Sequence, residues 1–180
     1  MRALCGWMMR IWSCRRELKA IDISVLPDGT GLPPGSGTAE TGKQVFETHC
    51  VTCHGATARE GPQDVLVGGH GTLATPKPVK TIGSYWPYAT TLWDYVNRAM
   101  PFDHPGTLPS KDVYSVTAYL LYLNDIVGER DVLDAASLPR VKMPNGSGFV
   151  PDARPDTFVP VKPAGAVKSP TTGRGTLPSK

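Results

Sequence analysis

The sequence is short of apolar material. Hydrophobic residues make up 40% of its 180 positions, below the share expected of a core-rich globule. No apolar run approaches the length of a membrane span, so the chain carries no transmembrane segment by this reading. There are only four cysteines, Cys5, Cys14, Cys50 and Cys53. No second cysteine or histidine pair follows the close pair Cys50 and Cys53, which argues against a structural zinc site. No strand–helix–strand pattern surrounds that pair, which argues against a redox dithiol. The middle of the chain also lacks a surplus of positive charge. Residues 36–150 hold nine basic and eleven acidic groups, while the basic excess lies in residues 1–35 and 151–180. A nucleic-acid-binding face on the central part is therefore not expected.

Against these absences stands Cys50-Val51-Thr52-Cys53-His54. Two cysteines three apart with a histidine directly after form the C-x-x-C-H pattern of c-type haem attachment, and it occurs once. The order suits the chemistry. Two thiols add across two vinyl groups, and the histidine that follows supplies an axial iron ligand. One covalent haem c is the expected cofactor, with Cys50 and Cys53 as thioethers and His54 as ligand.

The flanking pattern is helical in three places. Residues 38–49 can be capped by Thr38 or Thr41, with Glu40 in the first turn. Ala39, Gly42, Val45, Phe46 and Cys50 then share one face. Gly42 lies inside that helix at a cost of roughly 1 kcal/mol against alanine, which predicts close approach by another helix. Residues 85–100 are aromatic-rich, with Pro87 expected in a first helical turn and Met100-Pro101 expected to end it. Residues 110–127 form the best amphipathic stretch, with Ser110 as N-cap, an apolar face at Val113, Val116, Tyr119, Leu120, Leu123 and Val127, and Gly128 as the stop. Residues 55–80 read as a long loop, tolerable if it wraps a cofactor in place of a protein core.

A second axial ligand is sought downstream, among Met100, Met143, His70 and His104. Met100 is the choice, since it ends a helix in an exposed turn before the last strong helix. Thioether opposite imidazole fills both axial positions and favours electron transfer over oxygen chemistry. That disfavours a haem enzyme such as a peroxidase, and no catalytic side chain is assigned. Pro62 offers a carbonyl for the Nδ1–H of His54. Tyr85, Trp86 and Tyr88 have polar tips suited to haem propionates, with ordinary aromatic packing as the alternative for each.

Residues 38–127 resemble class I cytochromes c in the Gly42-x-x-x-Phe46 helix entering the haem motif, Gly61-Pro62, Met100, and Val116-x-x-Tyr119 in the last helix. The family implies a crossing of first and last helices at the glycine and the aromatic, with His54 and Met100 as ligands. From about residue 23 to 156 the chain is similar to the cytochrome subunit of Sox-type sulfur (sulfane) dehydrogenase. The carriers are the stretch from Pro27-Asp28-Gly29 to Gly35-Ser36-Gly37, Tyr85-Trp86-Pro87-Tyr88-Ala89-Thr90-Thr91-Leu92, Arg98-Ala99-Met100-Pro101-Phe102, and Val141-Lys142-Met143-Pro144-Asn145 followed by Gly148-Phe149-Val150-Pro151-Asp152. This resemblance implies a periplasmic electron-accepting subunit of a molybdenum-containing sulfur-compound dehydrogenase. Related one-haem subunits serve sulfite dehydrogenases.

The expected architecture is all-α, a class I cytochrome c fold of a few helices round one haem, with extended proline- and glycine-rich flanks. Residues 1–20 read as a degenerate export signal or a misplaced start, 21–35 as an extended leader and 36–135 as the cytochrome domain. Residues 136–156 read as a wrapping or docking segment and 157–180 as a disordered tail. The expected partners are the molybdenum subunit and a downstream cytochrome or oxidase. A free-standing periplasmic electron shuttle is the alternative function.

Overall fold

The computed structural model describes residues 21–150. The expectations for residues 1–20 (with Cys5 and Cys14), for 151–156 and for the tail 157–180 lie outside the described residues.

The first helix, α1, spans Ala39–His49. It starts where it does because Thr38 and Thr41 cap it reciprocally. The Thr41 N–H donates to the Thr38 hydroxyl at 3.3 Å, and the Thr38 N–H to the Thr41 hydroxyl at 3.1 Å. It buries Ala39, Gly42 and Phe46, the spacing of one helical face. A second short helix, α2, follows at Val51–His54. After a long stretch without regular structure, α3 runs over Ala89–Ala99 and α4 over Ser110–Leu123.

Three boundaries differ from the sequence expectation. Tyr88 has extended backbone and is the N-cap of α3, so Pro87 lies ahead of the first turn instead of within it. In α4 the N-cap is Pro109, and Ser110 is already helical. That helix also stops at Leu123, not beside Gly128. The Asn124 side chain donates to the Leu120 carbonyl at 2.8 Å, and Asp125 turns left-handed with φ 58°. A polar side chain satisfying a terminal carbonyl ends the helix before the glycine is reached. Gly128 serves a separate turn, its N–H donating to Asp131 at 2.7 Å.

Helix α4 is the axis of the molecule. Every residue from Val113 to Leu121 is buried, so it is wrapped on all sides and is not amphipathic over that stretch. Helix α1 crosses it at Gly42. A Cβ there would lie 2.8 Å from Tyr119 Cβ and closer still to the Ser115 carbonyl group, so only glycine lets the backbones approach this far. Phe46 then packs on Tyr119 with ring centroids 5.4 Å apart. Trp93 of α3 packs on Tyr114 of α4 at 5.3 Å.

The flanks of this frame are tied down. Ser36–Gly37 (β1) pairs antiparallel with Leu133–Asp134 (β2), Ser36 opposite Asp134. Ahead of β1, the Val25 N–H donates to buried Asp94 of α3 at 3.0 Å, and the Tyr114 hydroxyl donates to the Pro33 carbonyl at 3.0 Å. After β2, a 3-10 helix at Leu138–Arg140 buries Leu138 completely, and Met143 is buried next. The Asn145 side chain donates to the Tyr85 carbonyl at 2.8 Å. Among the described residues the architecture is all-α apart from that two-residue ladder.

Candidate functional site

Helix α2 carries the whole C-x-x-C-H pattern on little more than one turn. Cys50 is its N-cap, and the His54 N–H donates to the Cys50 carbonyl at 2.9 Å. Helical spacing sets the two thiols and the imidazole on adjoining positions of one short element. Gly55 ends it with φ 75°, and a Cβ there would stand 2.6 Å from the Glu60 carbonyl carbon. The chain must fold back this tightly because the loop returns to the helix. The Gln63 N–H donates to the Cys53 carbonyl at 3.0 Å.

That return sets the histidine. The His54 Nδ1 lies 2.9 Å from the Asp64 carbonyl oxygen. The expected carbonyl was that of Pro62. Once Gln63 has bonded to Cys53, the next carbonyl to reach the imidazole belongs to Asp64, two residues beyond the proline. A backbone carbonyl accepts only, so Nδ1 carries the hydrogen and Nε2 is left with its lone pair for a metal.

The donor set suits a haem. Cys50 is half-buried and Cys53 exposed, and no disulfide joins them. Burial first, and then the neighbouring Cys53, push the Cys50 thiol up to about 11. No group of three or more His, Cys, Asp or Glu that could hold a bare metal ion occurs among the described residues. Cys50, Val51, Leu66, Trp86 and Met100 lie half-buried at the margin of the apolar core. Soft sulfur, an imidazole with its second nitrogen occupied, and an apolar rim fit an iron porphyrin.

The candidates for a second ligand are placed differently from one another. Met100 is the half-buried C-cap of α3, held by its N–H to the Val96 carbonyl at 3.1 Å. Met143 is packed in the core. His104 is exposed beside Asp103. His70 is exposed and lines a cavity of about 270 Å³ together with Gly83, Ser84 and Asn145. Of the aromatic residues, Tyr85 meets Phe149 edge-on at 5.4 Å and has the Lys80 ammonium 5.0 Å above its ring. Trp86 meets Tyr95 at 5.7 Å, and Tyr88 is exposed. One contributor was missed in the sequence. Asp64 acts through its backbone, which no side-chain pattern reveals.

The family model for cytochrome c oxidase, cbb3-type, subunit III, matches residues 37–120, from β1 into α4. Together with the glycine-mediated crossing of α1 on α4 and the oriented histidine, this places the chain: it belongs to the class I cytochrome c family and is a haem electron-transfer protein. A more particular likeness is to a chain in the crystal structure of the sulfane dehydrogenase SoxCD from Paracoccus pantotrophus. The identity is 44% and the TM-score 0.74, covering 92% of this chain and 81% of that one. A search of the curated proteins found no match. Among the described residues no helix is long and apolar enough to cross a membrane.

Proposed function

We propose that this protein is the electron-accepting cytochrome subunit of a periplasmic, molybdenum-containing sulfur-compound dehydrogenase. It holds one haem covalently through Cys50 and Cys53, with His54 and Met100 as axial ligands, and passes electrons to a downstream cytochrome or oxidase. The observation that carries the reading is the 44% identity to a chain of a sulfane dehydrogenase over 92% of this sequence. A likeness confined to the haem motif would have supported a haem protein and no more.

The bound haem supplies a one-electron iron couple. The protein's own part is to hold and shield. The Asp64 carbonyl fixes the His54 ring and raises its basicity as a ligand. With haem bound, the His54 imidazole and the Met100 thioether would hold the iron, and thioether ligation would raise its reduction potential. No side chain acts as acid, base or nucleophile. Cys53 is exposed on α2, so a haem bonded there would be open to a partner's approach on that side.

The test has two arms. The chain, produced with a haem-attachment system, is stained for haem after denaturing electrophoresis, and its haem content is measured. One haem per chain that survives denaturation, and is lost in Cys50→Ala/Cys53→Ala, is expected; haem that washes out overturns covalent attachment. The second arm is co-purification with a molybdopterin-containing protein. A haem-loaded chain that is reduced by such a partner and binds it supports the subunit role. A chain that exchanges electrons freely but never associates is a free-standing shuttle.

A further inference from the structure

We infer that Asn124, at the end of the last helix, is a positioning residue for the iron-ligating histidine, acting through the loop that supplies its hydrogen-bond partner. The inference rests on His54 being an axial ligand.

Asn124 is 1% exposed, and its side-chain amide is engaged on both ends. Its Nδ2 donates to the Leu120 carbonyl at 2.8 Å, which anchors the amide to α4. The same nitrogen donates to the Leu66 carbonyl at 3.2 Å, and its Oδ1 accepts from the Gly68 N–H at 3.1 Å. A residue needed only to end the helix would require the first bond alone. The other two cross to a segment 56 and 58 residues away.

That segment includes the carbonyl on His54. Asp64 lies in a run with four fixed points. Gln63 is bonded to Cys53, the Leu66 N–H to the Ala58 carbonyl at 2.9 Å, and Leu66 and Gly68 to Asn124. Leu66 also accepts from the Ile82 N–H at 3.3 Å, and a Cβ on Gly83 would stand 2.9 Å from the Asn124 Cγ. The asparagine therefore joins the last helix, the loop after the haem motif and the turn at 82–84. Asp64 itself is exposed, so the loop has no burial of its own at that point to hold the carbonyl on the imidazole. With Asn124 truncated, the Gly68 N–H loses its acceptor and the loop loses two of its ties. A half-buried donor left without its acceptor is costly, so the loop moves to recover a partner. The His54 Nδ1–H bond then weakens, the imidazole becomes a poorer donor to ferric iron, and the reduction potential rises.

The experiment compares Asn124→Ala with Leu121→Ala. Leu121 is fully buried on the same helix and its side chain carries no hydrogen bond to the loop, so its truncation lowers stability while the bonds of Asn124 to Leu66 and Gly68 stay in place. Midpoint potential, the proton resonance of His54 Nδ1–H and thermal stability are read on the haem-loaded proteins. The expected result is a lowered melting temperature in both variants, with a positive shift of potential and a moved Nδ1–H resonance in Asn124→Ala alone. Equal potentials in the two variants overturn the inference and leave Asn124 a helix-end residue. Amide hydrogen exchange on the wild-type protein gives a reading even where the variant fails to fold. The Gly68 amide is expected to be protected like the core amides of α4, and exchange at the rate of an open loop overturns the clamp. A wild-type protein showing no histidine ligation defeats the functional reading instead, and that outcome is visible before any variant is made.

Discussion

Replacing Gly42 by alanine tests the helix crossing on which the site depends. The added Cβ would lie 2.5 Å from the Ser115 carbonyl carbon and 2.8 Å from Tyr119 Cβ. Carbon atoms rest at about 3.5–4.0 Å, so α1 and α4 must part by roughly 1 Å. The Ser115 carbonyl is backbone in the middle of a buried helix and cannot swing aside. Alanine returns about 1 kcal/mol of helix propensity. Against it stand about 1–3 kcal/mol of overpacking and about 0.5–1.5 kcal/mol of disturbed aromatic contact between Phe46 and Tyr119. The net loss is about 2 kcal/mol, a fall in melting temperature of about 4–8 °C for a chain of this size. Thermal unfolding of the haem-loaded protein by far-ultraviolet circular dichroism measures it. Lys43→Ala, on the exposed face one residue away, should stay within about 0.5 kcal/mol of the parent. A Gly42→Ala protein as stable as the parent, or more so, would refute the claim that the backbones meet at this glycine.

Three further outcomes are expected. Met100→Ala should lose the methionine-to-iron charge-transfer band in the optical spectrum, whereas buried Met143→Ala should keep the band and lose about 2–5 kcal/mol of stability; the reverse pattern would reassign the ligand. Asp134, in the β1–β2 ladder, is held below the ordinary 3.8 by the Ser137 N–H first, then the Ser137 hydroxyl and the Ala136 N–H. A depressed carboxylate stabilises the fold above its unfolded value and stops doing so as pH falls through its folded value. Asp134→Asn should therefore be less stable at pH 7 and converge with the parent as the pH falls through the depressed value of the Asp134 carboxyl, read by melting temperature against pH. Tyr114 is pushed up to about 12, by burial first and by Asp134 second. A raised phenol favours the folded state below its unfolded value near pH 10, and that contribution is lost as pH rises through 12. Tyr114→Phe should cost about 1 kcal/mol at pH 7, through the lost bond to the Pro33 carbonyl, and should flatten the alkaline limb.

Some of this protein could be read directly from its residue order. A five-residue pattern dictated haem chemistry because thiol, thiol and imidazole must sit within one helical turn of each other. A glycine in the middle of an amphipathic helix announced a close crossing, since nothing local rewards glycine there. The three long helices were legible from their apolar spacing, and α1 from its threonine cap as well. Their ends were less so, because the stop of α4 depends on an amide that also bonds to residues 66 and 68, far off in sequence.

The sequence alone determined the class of cofactor, the helical architecture and the glycine contact, all of which follow from short-range pattern. Tertiary structure alone decided which carbonyl orients His54, that α4 is buried on every side between Val113 and Leu121, and that Asn124 reaches the loop behind the histidine. These are properties of backbone groups and of residues more than fifty positions apart. A backbone carbonyl is the same in every residue, so composition and periodicity carry no record of which one meets the imidazole.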